Sequence, residues 1–466
     1  MIKQLLYLLT ITALISCQGP TGSDSVITWI GGEIVNPKHD YVIVFKDECV
    51  MDTVPLNDQN YFMFEGVDLK EGLYSFQHHE YQVFYVEPGD SIMLRVNTVD
   101  FDESLTYSGK GASKNNFLIE MFLLNENENV LMPDMYLLTP AQFESKMDSL
   151  KAIRTNIYKG FVSKDKPSKK FDEIAKASIE YDFYSKKEMY TAATATKKFP
   201  EGITFPEDFY SYRETIDFGN ENLRSYYPYY RFLNRYFDNL AHKKCGHDKY
   251  LDRYSYKHCT YKMAIIDSMI TDDMLKQNMF RTTTGRYLLN ARNPKNMEAM
   301  LNKFLEMNPN KQHQREITEL ATATMNLTAG KQIPNVMLRT TDNTIKDLHS
   351  VINRSSVLYF WSSQSVKHYK NIHAKAYQLQ EQYPQYDFIG INTDTNFGKW
   401  DGIVKSGGYH IQREFQFDDI DEAEKKLVIN WVNKAIIVDD DGTILEGNTN
   451  LFNRYIDTQL AQHSNQ

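Results

Sequence analysis

Apolar and polar residues alternate in short runs from about residue 26 to residue 108, and turn residues break the runs. A period of two marks strands with one face buried. The spacing predicts strands over 27–30, 41–45, 61–64, 72–76, 83–86 and 91–96. Before the last of these stands Pro88-Gly89-Asp90. It reads as a turn: proline presets φ, glycine tolerates positive φ, and aspartate bonds its own backbone. Residues 26–108 are therefore expected to form a small β-sandwich-like domain, closed by a stretch punctuated with Gly109 and Gly111 ahead of Phe117. From there to about residue 327 the spacing turns helical, most clearly at Phe143, Met147 and Leu150. Inside that region Tyr226, Tyr227, Tyr229, Tyr230, Phe232, Tyr236 and Phe237 form an aromatic stripe. Such a stripe is expected to pack helices together, with the hydroxyls finding partners; a ligand- or partner-binding groove is the alternative.

Beyond Gly330 strands and helices alternate, the pattern of an α/β layer. Strands are predicted over 357–360, 386–392, 435–438 and 443–445, and helices over 368–383, 421–431 and 451–460. The chain is thus expected to be multidomain α+β: the β-sandwich at 26–108, a helical region at 109–329 and an α/β domain at 330–466.

The first residues follow another logic. Met1-Ile2-Lys3 is a short positive start, and residues 5–15 are an apolar run too short to span a bilayer, as in the core of a signal peptide. The run ends in Leu14-Ile15-Ser16-Cys17, the lipobox pattern, so residues 1–16 are expected to be removed and Cys17 to carry lipid. Several acyl chains on one residue anchor a folded domain without a transmembrane helix. Residues 17–25 read as a polar tether. The tether lacks an acidic cluster next to the cysteine, so the expected place is the cell envelope, on the outer membrane facing the periplasm. The net charge of −9 and the absence of a long Lys/Arg run disfavour a nucleic-acid partner, and disfavour an anionic lipid surface as the main electrostatic partner.

Four segments beyond residue 330 carry a resemblance. They are Gly330-Lys331-Gln332-Ile333-Pro334-Asn335, Leu358-Tyr359-Phe360-Trp361-Ser362, Ile391-Asn392-Thr393-Asp394 and Ile437-Val438-Asp439-Asp440-Asp441-Gly442. In this order the region resembles TlpA-type thiol–disulfide reductases of the thioredoxin superfamily, which implies a thioredoxin-like α/β domain over 330–466. Pro88-Gly89-Asp90 and residues 109–117 resemble the β-domain that precedes such modules in lipoproteins of Bacteroidota, which implies architecture and not chemistry. The resemblance also locates what is missing. Ser365 falls where the family has its nucleophilic cysteine, His368 where it has the resolving one, and Asn433 where it has a cis-proline. Disulfide exchange needs a thiolate attacker and a second thiol, and serine and histidine supply neither. A cis peptide ahead of a residue other than proline costs about 2.5–4 kcal/mol, so a trans bond is expected before Asn433. At a helix start Ser365 is expected to act as a cap, with His368 solvated.

Of the remaining cysteines, Cys245 and Cys259 flank a polar, aromatic segment, and in an oxidising compartment a disulfide between them is the leading expectation. Free thiols are the next reading, and zinc held by Cys245, His247, His258 and Cys259 a third, at a spacing that is no standard zinc signature. Cys49 is expected to be a small buried hydrophobe. No cofactor is implied. The expected function is a lipid-anchored envelope scaffold whose thioredoxin-like groove, at Trp361, Gln364, Ser365 and Asn433, binds an extended peptide or envelope protein without exchange. The alternative is a thiol oxidoreductase that uses Cys245 and Cys259 or a partner.

Overall fold

The structure is a computed structural model that describes residues 25–195, 204–246, 252–431 and 433–463. The expected signal peptide, the lipidation site Cys17 and most of the tether lie outside the described residues. The chain forms two compact units: one holds the residues up to Met135 with Glu144–Phe183 and Ser225–Pro228, the other Tyr136–Phe143, Tyr184–Arg224 and the residues from Tyr229 onward.

In the first unit, strands β1 (Ile27–Val35), β2 (Tyr41–Lys46), β3 (Cys49–Pro55), β4 (Tyr61–Val67), β5 (Gly72–His78), β6 (Glu80–Val86), β7 (Ser91–Asn97) and β8 (Thr106–Lys110) make two four-stranded sheets. Their orders are β4-β1-β7-β8 and β3-β2-β5-β6. Ile30, Phe62, Ile92 and Leu94 of one sheet share a core with Val42, Val44, Phe76 and Phe84 of the other. This is the sandwich layout that the period of two predicts. Strand β3 escapes the pattern because it is an edge with only Val54 buried. Cys49 lies at its start and is exposed, which corrects the expectation of a buried residue. The β-layer also runs past residue 108, since Lys110 pairs with Ser91. Gly109 has φ +87°, and a Cβ there would lie 2.1 Å from the Ser91 carbonyl oxygen, so the punctuation is a close strand approach and not a linker.

Helices follow in chain order: α1 (Phe101–Ser104), α2 (Ala112–Asn129), α3 (Met132–Met135), α4 (Pro140–Asp165), α5 (Lys169–Ala195), α6 (Tyr227–Cys245), α7 (Tyr256–Met269), α8 (Asp273–Asn290), α9 (Pro294–Met307) and α10 (Lys311–Asn326). The helical region therefore does not stand as one body, because residues 109–135 and 144–183 belong to the unit of the β-sheets. There Arg154 of α4 is fully buried and bonds Glu128 of α2 at 2.6 Å and Asp182 of α5 at 2.9 Å. The part of the aromatic stripe in the second unit, from Tyr229 onward, is largely core: Tyr229, Phe232 and Phe237 are buried, and the Tyr229 hydroxyl donates to the Asp217 carbonyl at 2.5 Å.

The C-terminal part is one seven-stranded sheet, β10-β9-β13-β12-β11-β14-β15. Its strands are β9 (Met337–Arg339), β10 (Ile345–Asp347), β11 (Ser356–Trp361), β12 (Asp387–Asn392), β13 (Glu414–Phe417), β14 (Ala435–Val438) and β15 (Ile444–Thr449). Strands β11, β12 and β13 are parallel, β14 runs antiparallel to β11, and β15 runs antiparallel to β14. Helices α11 (Leu348–Val351), α12 (Val366–Gln382), α13 (Phe397–Ser406), α14 (Ile420–Leu427) and α15 (Ile456–His463) complete it. Alternation along β11 sends Leu358 and Phe360 into a core with α14, and Val357, Tyr359 and Trp361 into a second core with α12, α13 and α15. This is an α/β sheet covered on both faces, as the resemblance implies. Two helix limits differ from expectation. The helix predicted over 421–431 stops at Leu427, because Val428 takes φ +50° and the buried Lys434 ammonium donates to the carbonyls of Leu427 at 2.7 Å and Val428 at 2.9 Å. The helix predicted over 451–460 starts at Ile456, because Asn450 and Asn453 accept the backbone N–H groups of Phe452 and Tyr455 and hold a turn. Among the described residues no helix is long and apolar enough to cross a membrane.

Candidate functional site

Strand β11 ends at Trp361, and a short turn feeds α12, whose N-terminus is where the family resemblance puts the redox pair. Ser365 is the N-cap, and its Oγ accepts the His368 N–H at 3.3 Å. The His368 ring turns the other way: Nε2 lies 2.6 Å from Asn433 Oδ1, which fixes the proton on Nε2. The structure thus brings together all three positions that depart from the family pattern. Their chemistry is that of a clasp. Among the described residues no hydrogen bond joins Ser365 Oγ to the His368 ring, so hydroxyl and imidazole are not arranged as nucleophile and base. The peptide before Asn433 involves Val432, which lies outside the described residues.

Two acids, the half-buried Asp394 and the buried Glu414, support this corner. Asp394, just past β12, accepts from Ser362 Oγ at 2.6 Å and from the Ser363 N–H. Burial pushes its carboxyl up, but the bonds from Ser362, Ser363 and Asn392 outweigh that and hold it below the ordinary value. It thereby fixes the turn that leads into α12. Glu414 of β13 is buried, accepts from Tyr359 Oη at 2.9 Å and Trp361 Nε1 at 3.0 Å, and has His373 Nε2 3.2 Å away. Burial first, and then the Glu414 charge, pushes the Tyr359 phenol well above its ordinary value. The Trp361 indole N–H is therefore held by the Glu414 side chain, and His373 stacks on Tyr409 with ring centres 3.9 Å apart.

Next to Trp361 a depression of about 290 Å³ opens to solvent, lined by Phe360, Trp361, Thr393, Ile429, Asn430 and Trp431. Its floor is apolar, and Trp431 stands on its rim 36 % exposed. Glu424 also borders it, with its carboxyl raised by burial and by Asp421. Of the four expected binding residues, Trp361 lines this depression, while Gln364 and Ser365 are exposed on the turn and Asn433 faces His368. Trp431, Asp394, Glu414, His373 and Lys434 were not anticipated. One signal for Glu414 was available: Gly390 sits between Ile389 and Ile391 in a buried strand, and a Cβ there would lie 2.4 Å from Glu414 Oε1.

Cys245 and Cys259 are free, so the disulfide expected between them is corrected. The Cys259 thiol donates to the Arg253 carbonyl at 3.3 Å, which aims it along its own turn. His247 lies outside the described residues, and the His258 ring faces Asp238 at 3.2 Å. Among the described residues no group of three or more His, Cys, Asp or Glu is placed to hold a metal ion. Burial pushes the Cys259 thiol up to about 12, whereas an attacking thiol needs a lowered value. Titration of the native protein with a thiol reagent, without reductant, should modify Cys49 first, Cys245 more slowly and Cys259 only on unfolding. Two thiols that appear in denaturant only after reduction would restore the disulfide.

No family model matches the chain, and no curated relative does. Similar solved structures include a thioredoxin-like protein from Bacteroides caccae, 11 % identical, covering 57 % of this chain and 96 % of its own, with a TM-score of 0.32. Another is the thioredoxin domain of a thiol-disulfide oxidoreductase from Bacteroides vulgatus, 14 % identical, covering 30 % of this chain and 96 % of its own, with a TM-score of 0.24. A thiol:disulfide interchange protein from Bacteroides sp. is 16 % identical and covers 26 % of this chain and 81 % of its own, with a TM-score of 0.23. At these values the likenesses say nothing of chemistry, and the character of the C-terminal sheet rests on its own connectivity.

Proposed function

We propose that this is a lipid-anchored envelope protein whose thioredoxin-like domain binds an extended peptide or protein segment without thiol–disulfide exchange. The observation that carries the reading is the clasp: the position of the attacking thiol holds a helix cap, Ser365, and the position of the resolving thiol holds a histidine bonded to Asn433. Beside it the apolar depression at Trp361 and Trp431 keeps a surface on which a segment can lie. The support beneath Trp361 from Glu414 holds that wall in place. Anchoring through Cys17 on the periplasmic side of the outer membrane is part of the same reading and rests on the lipobox. The alternative, exchange through Cys245 and Cys259, has the buried, high-pKa Cys259 thiol against it.

Insulin reduction with dithiothreitol tests the first half, and no acceleration over the blank is expected. Binding of the reduced, alkylated B chain of insulin, followed by fluorescence, tests the second. A saturable change is expected in the parent chain, weakened at least tenfold by Trp431→Ala. Catalysed reduction abolished by Cys245→Ser or Cys259→Ser would overturn the reading, and so would B-chain binding that Trp431→Ala leaves intact.

A further inference from the structure

The outer face of the β4-β1-β7-β8 sheet gathers exposed apolar side chains around the exposed Glu65 at one end and carries an ion pair at the other. Register places Ile27 opposite Val67, Trp29 opposite Glu65 and Gly31 opposite Met63, so these side chains share one face. Ile27, Trp29, Met63 and Val67 are 44 %, 38 %, 47 % and 55 % exposed. The alternate residues Ile30, Phe62 and Phe64 point the other way into the core. At the far end of the same face Arg95 pairs with Glu33 at 3.0 Å. Single exposed apolar residues are ordinary, but a cluster of them on and beside an edge strand, here interrupted by Glu65, marks a contact surface. Strand β4 is such an edge.

The apolar end is also where the chain enters the domain. The Val26 N–H donates to Asp68 Oδ1 at 2.9 Å and ties the entry to the end of β4. Cys17 stands ten residues before Ile27, across a polar stretch containing Gly, Pro, Ser and Thr. A polypeptide of ten residues with random-coil dimensions would span roughly 17 Å on average. A lipid on Cys17 would therefore hold this face within reach of the bilayer at a high local concentration. Tryptophan is a residue that favours the membrane–water boundary, and the net charge of −9 leaves apolar insertion as the attraction.

We infer that the Ile27, Trp29, Met63 and Val67 end of this sheet seats on the phospholipid surface beside the anchor and fixes how the first unit faces the membrane. This rests on the lipidation of Cys17, which the test checks separately. The full-length protein, purified from membranes, is reconstituted in phosphatidylethanolamine/phosphatidylglycerol vesicles with and without brominated acyl chains. Brominated lipid is expected to quench part of the tryptophan emission, insensitive to added salt. That part should vanish in Trp29→Phe and fall at least twofold in Ile27→Ser/Met63→Ser/Val67→Ser, whose substitutions lie on an exposed face and whose folded state is checked by its melting temperature. Mass spectrometry of the N-terminal peptide establishes the lipid independently. A lipidated chain whose quenching is the same in Trp29→Phe would overturn the inference, and so would one whose Trp29 is shielded by a second copy cross-linked through this face. A chain without lipid on Cys17 would instead overturn the anchoring on which it rests.

Discussion

Arg154→Met is expected to destabilise the first unit by about 3–5 kcal/mol. Arg154 is fully buried, donates to both Glu128 oxygens, at 2.9 Å and 2.6 Å, and reaches Asp182 at 2.9 Å. The same guanidinium stacks on Phe183 at 5.1 Å. One positive charge thus serves two buried carboxylates from two different helices. Its removal leaves both acids in a poorly solvating interior without the guanidinium, and that loss, more than the loss of attraction itself, sets the magnitude. With a urea m-value of ~2 kcal/mol/M the midpoint should fall by more than 1 M. Glu128→Leu/Arg154→Met/Asp182→Leu should recover most of the loss, because an apolar trio of similar volume has no charge to desolvate. A loss under ~1 kcal/mol for the single variant would mean that water reaches the trio in solution.

The second large effect is a pH dependence set by Lys434. Burial pulls its ammonium from 10.5 down to about 7, while the two carbonyls at the end of α14 hold it in place. The folded value lies below the unfolded one. Between about 7 and 10.5 the unfolded chain therefore binds the proton more readily, and stability rises with pH across that window. The slope contributed is at most roughly 1.4 kcal/mol per pH unit. Below about 7 both states are protonated, and the folded state carries the whole burial penalty. Urea denaturation of the parent and of Lys434→Met from pH 6.5 to 9 should show the parent gaining stability relative to the variant as pH rises. Parallel curves would show that the lysine stays charged in the fold throughout.

The two examples also mark what was legible in the sequence. Strand β4 was plain, because Tyr61, Met63 and Val67 alternate with buried Phe62 and Phe64, and the C-terminal sheet was visible through four short motifs on β11, β12, β14 and its entry segment. Strand β13 was missed: four residues with a buried Glu and a buried Gln do not look like core, and acids are rarely buried without partners. The end of α14 was missed because Val428, Ile429 and Trp431 extend an apolar run, while the cap that stops the helix is supplied from Lys434 further along the chain. Ser365 was legible as a cap because capping is local. The bond from His368 to Asn433 spans 65 residues, and only the fold could show it. The disulfide expectation followed from compartment, a property of the surroundings, and carried no information on where the Cys259 thiol points.

The hollow at Gly390 has a consequence for descent. A single methyl at 390 would stand 2.4 Å from the Glu414 carboxylate, while that carboxylate orients Tyr359 and Trp361. The two positions are therefore coupled. A side chain at 390 would force the Glu414 carboxylate to move or be replaced, and with it the bonds that orient Tyr359 and Trp361. Among relatives, glycine at 390 together with glutamate at 414 would thus separate chains that keep this support from chains that have let it go.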